Sequence, residues 1–167
     1  MVIIVEGIDR VGKTTLVEKI CRALGYERFR DDFRYMTDEN PYGNIQVNTE
    51  KINTLMNLIE QGLVDNVVLD RFHFTEDVYG LYDRDYNNPS MVDIDKRLGK
   101  LDNVVLVWVQ ATDVRRSSME HGRDLTMHEN YMRALYDLSK IGCKYRTKYA
   151  GFDNVVKELK GICGIRT

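Results

Sequence analysis

The sequence has 167 residues and a mass of 19.5 kDa, with 43% hydrophobic and 30% charged residues. That size suits one domain of roughly 100–200 residues with a real core, and the composition excludes a disordered chain. The 24 basic and 26 acidic residues leave a formal charge of −2, so no basic excess exists to hold a nucleic-acid duplex by counterion release.

In chain order, Val2–Val5 opens as a short apolar, β-branched run. It has neither the basic flank nor the cleavage site of a secretory signal. Thr14–Leu24 sets Leu16, Val17, Ile20 and Leu24 on one helical face, and Tyr26–Phe29 is a weak second strand. The polar stretches 37–44 and 83–90, each holding one of the two prolines, read as loops. Ile52–Ile59 repeats Ile52, Leu55, Met56 and Ile59 at helical spacing. Asn66–Leu69 and Asn103–Val109 read as buried strands, Glu129–Ile141 and Val155–Ile162 as helices, and Lys144–Tyr149 as a last strand. Strands alternating with helices imply βαβ units and a mostly parallel sheet covered on both faces. Ligands of such sheets bind beyond the carboxyl ends of the strands.

No apolar run approaches the roughly 20 residues of a membrane span. Cys21, Cys143 and Cys163 are odd in number and form no C-x-x-C pair. They read as reduced structural thiols of a cytoplasmic protein.

Directly after the first strand comes Gly7-Ile8-Asp9-Arg10-Val11-Gly12-Lys13-Thr14, the pattern G-x-x-x-x-G-K-T between a strand and a helix. Its glycines let the backbone turn tightly and approach a phosphate. Its amides and the helix N-terminus form an anion cradle. Lys13 carries a positive charge for the β- and γ-phosphates of ATP, and the Thr14 hydroxyl is a hard ligand suited to Mg²⁺. Asp9 would repel phosphates at close range, so its carboxylate is expected to face a hydroxyl or a cation; a surface pair with Arg10 is the plainer alternative. Arg10 places a permanent cation beside a transferring phosphoryl group.

The run Glu6–Thr15 resembles the phosphate loop of thymidylate kinases, in particular the subgroup with an arginine inside the loop. The resemblance implies a P-loop α/β sandwich spanning residues 1–167, with about five parallel strands in the order 2-3-1-4-5. It gives Asp9 to the 3′-hydroxyl of an acceptor deoxynucleotide, and Gly7 to Thr15 to ATP.

A second motif, Asp70-Arg71-Phe72-His73-Phe74-Thr75-Glu76-Asp77-Val78-Tyr79, follows the Asn66–Leu69 run. Asp70 falls at a strand end, near a metal; Arg71 sits in the ligand crevice, either gripping phosphate or pairing with Asp70. The segment resembles the thymidylate kinase pattern D-R-Y/F-x-x-S-x-x-A-Y, with Thr75 for serine and Val78 for alanine. By that likeness Arg71 holds acceptor and donor phosphates, Thr75 belongs to the acceptor site, and Tyr79 lies under the deoxyribose 2′-carbon. Glu76 stands near the base, where a carboxylate accepts a pyrimidine N3–H or donors on another base, unless it is a solvated helix residue. His73 reads as a surface histidine.

After the fourth strand, Arg115, Arg116 and Arg123 suit a mobile lid around residues 113–125. Arg116 is assigned to ATP and Arg123 to the transferring group. On the acceptor side Arg28-Phe29 resembles the start of a family R-F-P passage, with Arg30 in place of proline, which gives Phe29 and Arg30 to the acceptor.

Together these residues imply Mg²⁺-dependent transfer of the ATP γ-phosphoryl to a deoxynucleoside monophosphate, dTMP or a related pyrimidine. Lys13, Arg10, Arg71, Asp70 and Arg123 would act on the phosphates, and Thr14 and Asp70 on the metal. Two alternatives stay open. One is a deoxynucleoside kinase acting on a 5′-hydroxyl, with Glu6, Asp31 or Asp32 as base. The other is a catalytically silent nucleotide-binding regulator. The partners are small nucleotides rather than membranes or nucleic acid, and apolar helix faces admit a homodimer.

Overall fold

The structure, a computed structural model, describes residues 1–30, 41–122 and 124–165. Five strands are described: β1 (Val2–Glu6), β2 (Glu27–Phe29), β3 (Val67–Asp70), β4 (Val104–Val109) and β5 (Cys143–Thr147). They form one parallel sheet in the order β2-β3-β1-β4-β5. This is the order that the sequence resemblance implied. Register places Val5 opposite Asp70, Phe29 opposite Leu69, and Glu6 opposite Trp108. The carboxyl ends of all five strands therefore meet along one edge.

Side chains alternate across a strand, and that parity divides the core. Val2, Ile4, Val67, Leu69, Val104, Leu106 and Trp108 point to one face. There they meet α2 (Pro41–Glu60), α3 (His73–Asp83), α4 (Ser90–Leu98) and α6 (Thr126–Leu138). Ile3, Val5, Val68, Val105, Val107 and Val109 point the other way, onto α1 (Lys13–Leu24) and α7 (Phe152–Ile162). β1 and β4 are buried along their whole lengths, as β-branched central strands must be when both faces are covered. Each fully buried Val, Leu or Ile contributes about 1.5–3 kcal/mol.

The sequence reading differs from the structure at element ends and in the helices after each proline. Pro41, placed in a loop by composition, opens α2; the first helical position lacks an amide partner anyway and accepts proline well. Pro89 precedes α4, whose Met91, Ile94 and Leu98 are buried at helical spacing in a short, mainly polar run. The last strand covers Cys143–Thr147 rather than 144–149, and a 3₁₀ turn (Tyr149–Gly151) leads from it into α7. The basic stretch after β4 forms α5 (Val114–His121), capped by Asp113, whose carboxylate accepts from the Arg115 and Arg116 amides. Among the described residues no helix is long and apolar enough to cross a membrane. The three cysteines are free.

Candidate functional site

The loop between β1 and α1 turns on two glycines. Gly7 has φ 155°, and a Cβ there would stand 2.5 Å from the Val109 carbonyl oxygen. Gly12 ends the loop with φ 90°, where a Cβ would come within 2.9 Å of the Tyr149 ring. Both positions need positive φ and a bare backbone face, which only glycine supplies cheaply. Arg10 inside the loop also has positive φ, at 66°, as does Arg71 after β3, at 78°. Strained backbone of this kind persists where surrounding structure holds it, and it concentrates at functional sites. Asn66 and Asp85 share it, but Arg10 lies inside the loop and Arg71 bonds the loop residue Asp9.

Lys13 begins α1 and is 5% exposed. Its Nζ donates to the Ile8 carbonyl at 2.5 Å, so the ammonium folds back over the loop. Burial lowers its pKa to about 7; the Arg71 charge lowers it too, against Asp9, Asp70 and Glu6, which raise it. Thr14 is exposed on the first turn of α1 and Thr15 half-buried beside it.

Facing the loop, the turn after β3 brings Arg71, and α3 brings Tyr79, together with Asp9. Arg71 Nη2 bonds Asp9 Oδ1. The Asp9 amide donates to the Tyr79 hydroxyl at 2.9 Å, and the Arg71 guanidinium lies 5.9 Å from the Tyr79 ring centroid. Burial, then the Asp9 charge, pushes the Tyr79 hydroxyl up, so it stays protonated. Asp9 thus meets a cation, as its charge requires, and that cation is Arg71 rather than Arg10. Asp70 likewise pairs across the strands with Arg28, not with its neighbour Arg71. The physical reason is parity: consecutive residues at a strand end point to opposite sides, whereas Arg28 sits on the neighbouring strand.

Glu6, which closes β1, is fully buried. One oxygen accepts from the Phe72 amide at 2.9 Å, the Phe74 amide at 3.0 Å and the Thr75 amide at 3.4 Å; the other takes the Thr75 hydroxyl at 2.5 Å. This carboxylate caps the N-terminus of α3 from 66 residues away in sequence, where no local residue does so. Two further sequence readings, those of Glu76 and His73, change here. Thr75 is buried with its hydroxyl on Glu6. Glu76 is fully buried, not solvated: Arg84 Nη1 reaches it at 2.7 Å, the Tyr86 hydroxyl bonds it, and Asn48 approaches at 3.3 Å. His73 is also buried, 1% exposed, against the surface position read from sequence. An apolar helix face turned onto the sheet carries these polar residues in with it.

Two cavities flank this centre. One, of about 530 Å³, is bordered by Arg10, Gly12, Thr112, Arg116 and Tyr149. Tyr149 escaped the sequence reading; its signal is an aromatic residue just past the last strand end, opposite the loop glycine. The other, of about 600 Å³, runs between β2 and α2, bordered by Phe29, Val47, Leu55, Arg71 and Phe72. Arg30 is exposed beyond β2. Arg115 is exposed on α5 and lies outside the lining of either cavity. Arg123, Asp31 and Asp32 lie outside the described residues. Among the described residues no cluster of three or more His, Cys, Asp or Glu could hold a metal ion by protein ligands alone. The Thr14 hydroxyl and the Asp70 carboxylate are hard oxygen donors, the chemistry that Mg²⁺ accepts alongside substrate phosphates.

The strand order, the covered faces and the loop after β1 define the fold of the P-loop kinases. The YorR protein of Bacillus subtilis, solved in complex with phosphorylated GDP, is similar with a TM-score of 0.72 and 19% identity, over 99% of this chain and 96% of that one. Deoxyadenosine kinase from M. mycoides, solved with dCMP and dCDP, is similar with a TM-score of 0.59 and 13% identity, over 97% of this chain and all of that one. The same kinase with bound dCTP gives 0.54 and 16%. At such identities the likeness is one of fold. Neither a protein-family model nor a curated protein sequence matches the chain.

Proposed function

We propose that the chain is a phosphotransferase that moves the γ-phosphoryl of ATP to the 5′-phosphate of a deoxynucleoside monophosphate, in the manner of thymidylate kinases. The observation that carries this reading is the Asp9–Arg71–Tyr79 group opposite the loop lysine. An arginine there suits an acceptor phosphate, and the carboxylate and phenol suit a deoxyribose.

The donor phosphates are assigned to the loop amides and Lys13, whose ammonium leaves the Ile8 carbonyl for them. The base of ATP is assigned to the cavity beside Arg116 and Tyr149. The acceptor phosphate oxygen, already anionic, attacks the γ-phosphorus while the bond to the β–γ bridging oxygen breaks, and ADP leaves with that electron pair. Arg10 and Arg71 hold the charge that spreads over the transferring group; positioning and electrostatics do the work, and no strong base is needed. Thr14 and Asp70 would hold Mg²⁺, which supplies further neutralisation of the β- and γ-phosphates. Arg123 is assigned to the lid side of the same group. Phe29, on the rim of the β2–α2 cavity, and Arg30 beyond it are assigned to the acceptor. Glu76, tied to Arg84 and Tyr86, acts behind the acceptor base as a fixed wall.

A deoxynucleoside kinase is the second reading, favoured by the fold shared with deoxyadenosine kinase. It needs a base for the 5′-hydroxyl. Glu6 does not suit that role, since four hydrogen bonds hold it at α3.

The test offers each deoxynucleoside and each deoxynucleoside monophosphate separately with labelled ATP. Label entering monophosphates and not nucleosides supports the proposal; label entering nucleosides alone selects the second reading. Lys13→Ala is expected to lower turnover about 10³-fold or more. A variant turning over at the wild-type rate would refute the mechanism.

A further inference from the structure

The first turns of α6 carry two adjacent buried polar residues, His128 and Glu129, 5% and 2% exposed. Consecutive helix residues point about 100° apart, so the two side chains leave α6 in different directions. One reaches α3 and the other the end of β4.

His128 enters the face of α3 formed by Tyr79, Tyr82 and Asp83, which recur at helical spacing. Its Nε2 lies 2.7 Å from Asp83 Oδ1. Its ring centroid is 5.1 Å from that of Tyr79 and 5.1 Å from that of Tyr82. The imidazole therefore backs Tyr79, whose hydroxyl accepts from the Asp9 amide of the phosphate loop at 2.9 Å. Close packing of this kind holds a buried ring to one orientation.

Glu129 goes the other way. Its Oε1 accepts from the Ala111 amide at 3.1 Å, just past β4. Its Oε2 is buried and has no hydrogen-bond partner among the described residues. Burial pushes the carboxyl up, while the Ala111 amide and the charges of Arg133, Lys13 and Lys148 pull it down. The carboxylate thus lies within electrostatic reach of the loop lysine. A half-satisfied buried carboxylate gives little to stability, which turns attention to what its one bond holds. Thr112, Asp113 and Arg116, which follow Ala111, border the cavity beside Arg10 and Gly12, and Asp113 caps α5. Holding Ala111 holds that wall.

We propose that His128 and Glu129 are positioning residues, one for each substrate, where acceptor and donor are those of the phosphotransfer proposed above. His128 sets Tyr79 and through it the acceptor side. Glu129 sets Ala111 and through it the wall of the donor cavity. Neither touches substrate. One helix end thereby ties both half-sites to a single frame, which in-line transfer needs because the reacting atoms must stay aligned.

Calorimetry with dTMP, thymidine and the non-hydrolysable ATP analogue AMP-PNP reads the two arms apart. His128→Leu is expected to weaken acceptor binding about tenfold and AMP-PNP binding by less than about twofold. In a Tyr79→Phe background the same substitution should add little, since its effect passes through that phenol. Glu129→Met is expected to weaken AMP-PNP about tenfold and spare the acceptor. Glu129→Gln, whose amide oxygen still accepts from Ala111, should restore AMP-PNP binding. Amide NMR of the ligand-free chain reads the same split: the Asp9 signal moves with His128→Leu, the Ala111 signal with Glu129→Met, and neither with the other variant. Where the leucine or methionine variant does not fold, His128→Gln, which keeps a donor for Asp83, and Glu129→Asp, one methylene shorter, are read in the same way. Selectivity for thymidine over dTMP overturns the proposed reaction alone; the amide signals, taken without ligand, decide the positioning roles in either case. Losses shared equally by donor and acceptor overturn the proposal. So does an undiminished His128 effect in Tyr79→Phe, or no rescue by Glu129→Gln.

Discussion

Removing the Glu6 carboxylate tests the contact that joins the end of β1 to α3. In Glu6→Ala the Phe72 and Phe74 amides, bonded at 2.9 and 3.0 Å, lose their acceptor inside a buried site. Hydrogen bonds to a charged group are worth about 1.5–3 kcal/mol each. Two of them give about 3–6 kcal/mol, and the Thr75 hydroxyl adds to that. Glu6→Gln keeps an acceptor oxygen for the amides, and its NH₂ can donate to the Thr75 oxygen. It loses the charge at the helix N-terminus, an effect of up to about 2 kcal/mol in a buried setting. Since small domains are stable by only about 5–15 kcal/mol, the alanine variant should be close to unfolding and the glutamine variant weakened. Urea unfolding at neutral pH measures both, with an unchanged slope showing that the comparison is sound. A loss under about 1 kcal/mol in Glu6→Ala would refute the capping role. Turnover of folded Glu6→Gln should stay within about tenfold of wild type; a loss beyond about 10²-fold would instead make Glu6 a general base.

Lys13 gives a pH dependence with a definite sign. Burial lowers its pKa to about 7, so at about pH 8.5 most molecules carry it neutral, while a bound triphosphate favours the ammonium. ATP binding there should take up a proton, and affinity should fall as pH rises above neutrality; calorimetry in buffers of different ionisation enthalpy reads this, and zero uptake counts against the buried lysine. Gly7→Ala places a methyl 2.5 Å from the Val109 carbonyl oxygen at φ 155°. We expect a loss of about 2–3 kcal/mol or more in urea unfolding and of ATP binding, since strained positions of this kind cost that order; wild-type behaviour in both would show that β4 yields to the loop. Breaking the buried pair at Glu76 by Arg84→Met should cost about 3–5 kcal/mol, because the carboxylate stays behind without its cation; thermal unfolding checks this, and an unchanged melting point would show the pair to be dispensable.

Much of the architecture was legible in local pattern. β-branched runs wide enough to be buried on both faces, separated by helical periods, dictate a parallel sheet with two helix layers. The loop was legible too, because its chemistry lies in eight consecutive residues with the needed glycines among them. The helices after each proline were harder. Pro41 and Pro89 break a pattern when they follow it, yet each can also open one, and composition does not distinguish the two.

Local sequence therefore specifies the glycine-rich loop after β1 and the kind of sheet that carries it. The side-chain pairings were settled by tertiary structure alone. Asp70 finds Arg28 and not Arg71, Asp9 finds Arg71 and not Arg10, and Glu6 reaches across to cap α3. Tyr149 arrives beside Gly12. Each partner lies on a distant segment of the chain, up to 137 residues away. Strand order and side-chain parity, which no short stretch of sequence encodes, decide which charges come within reach of one another.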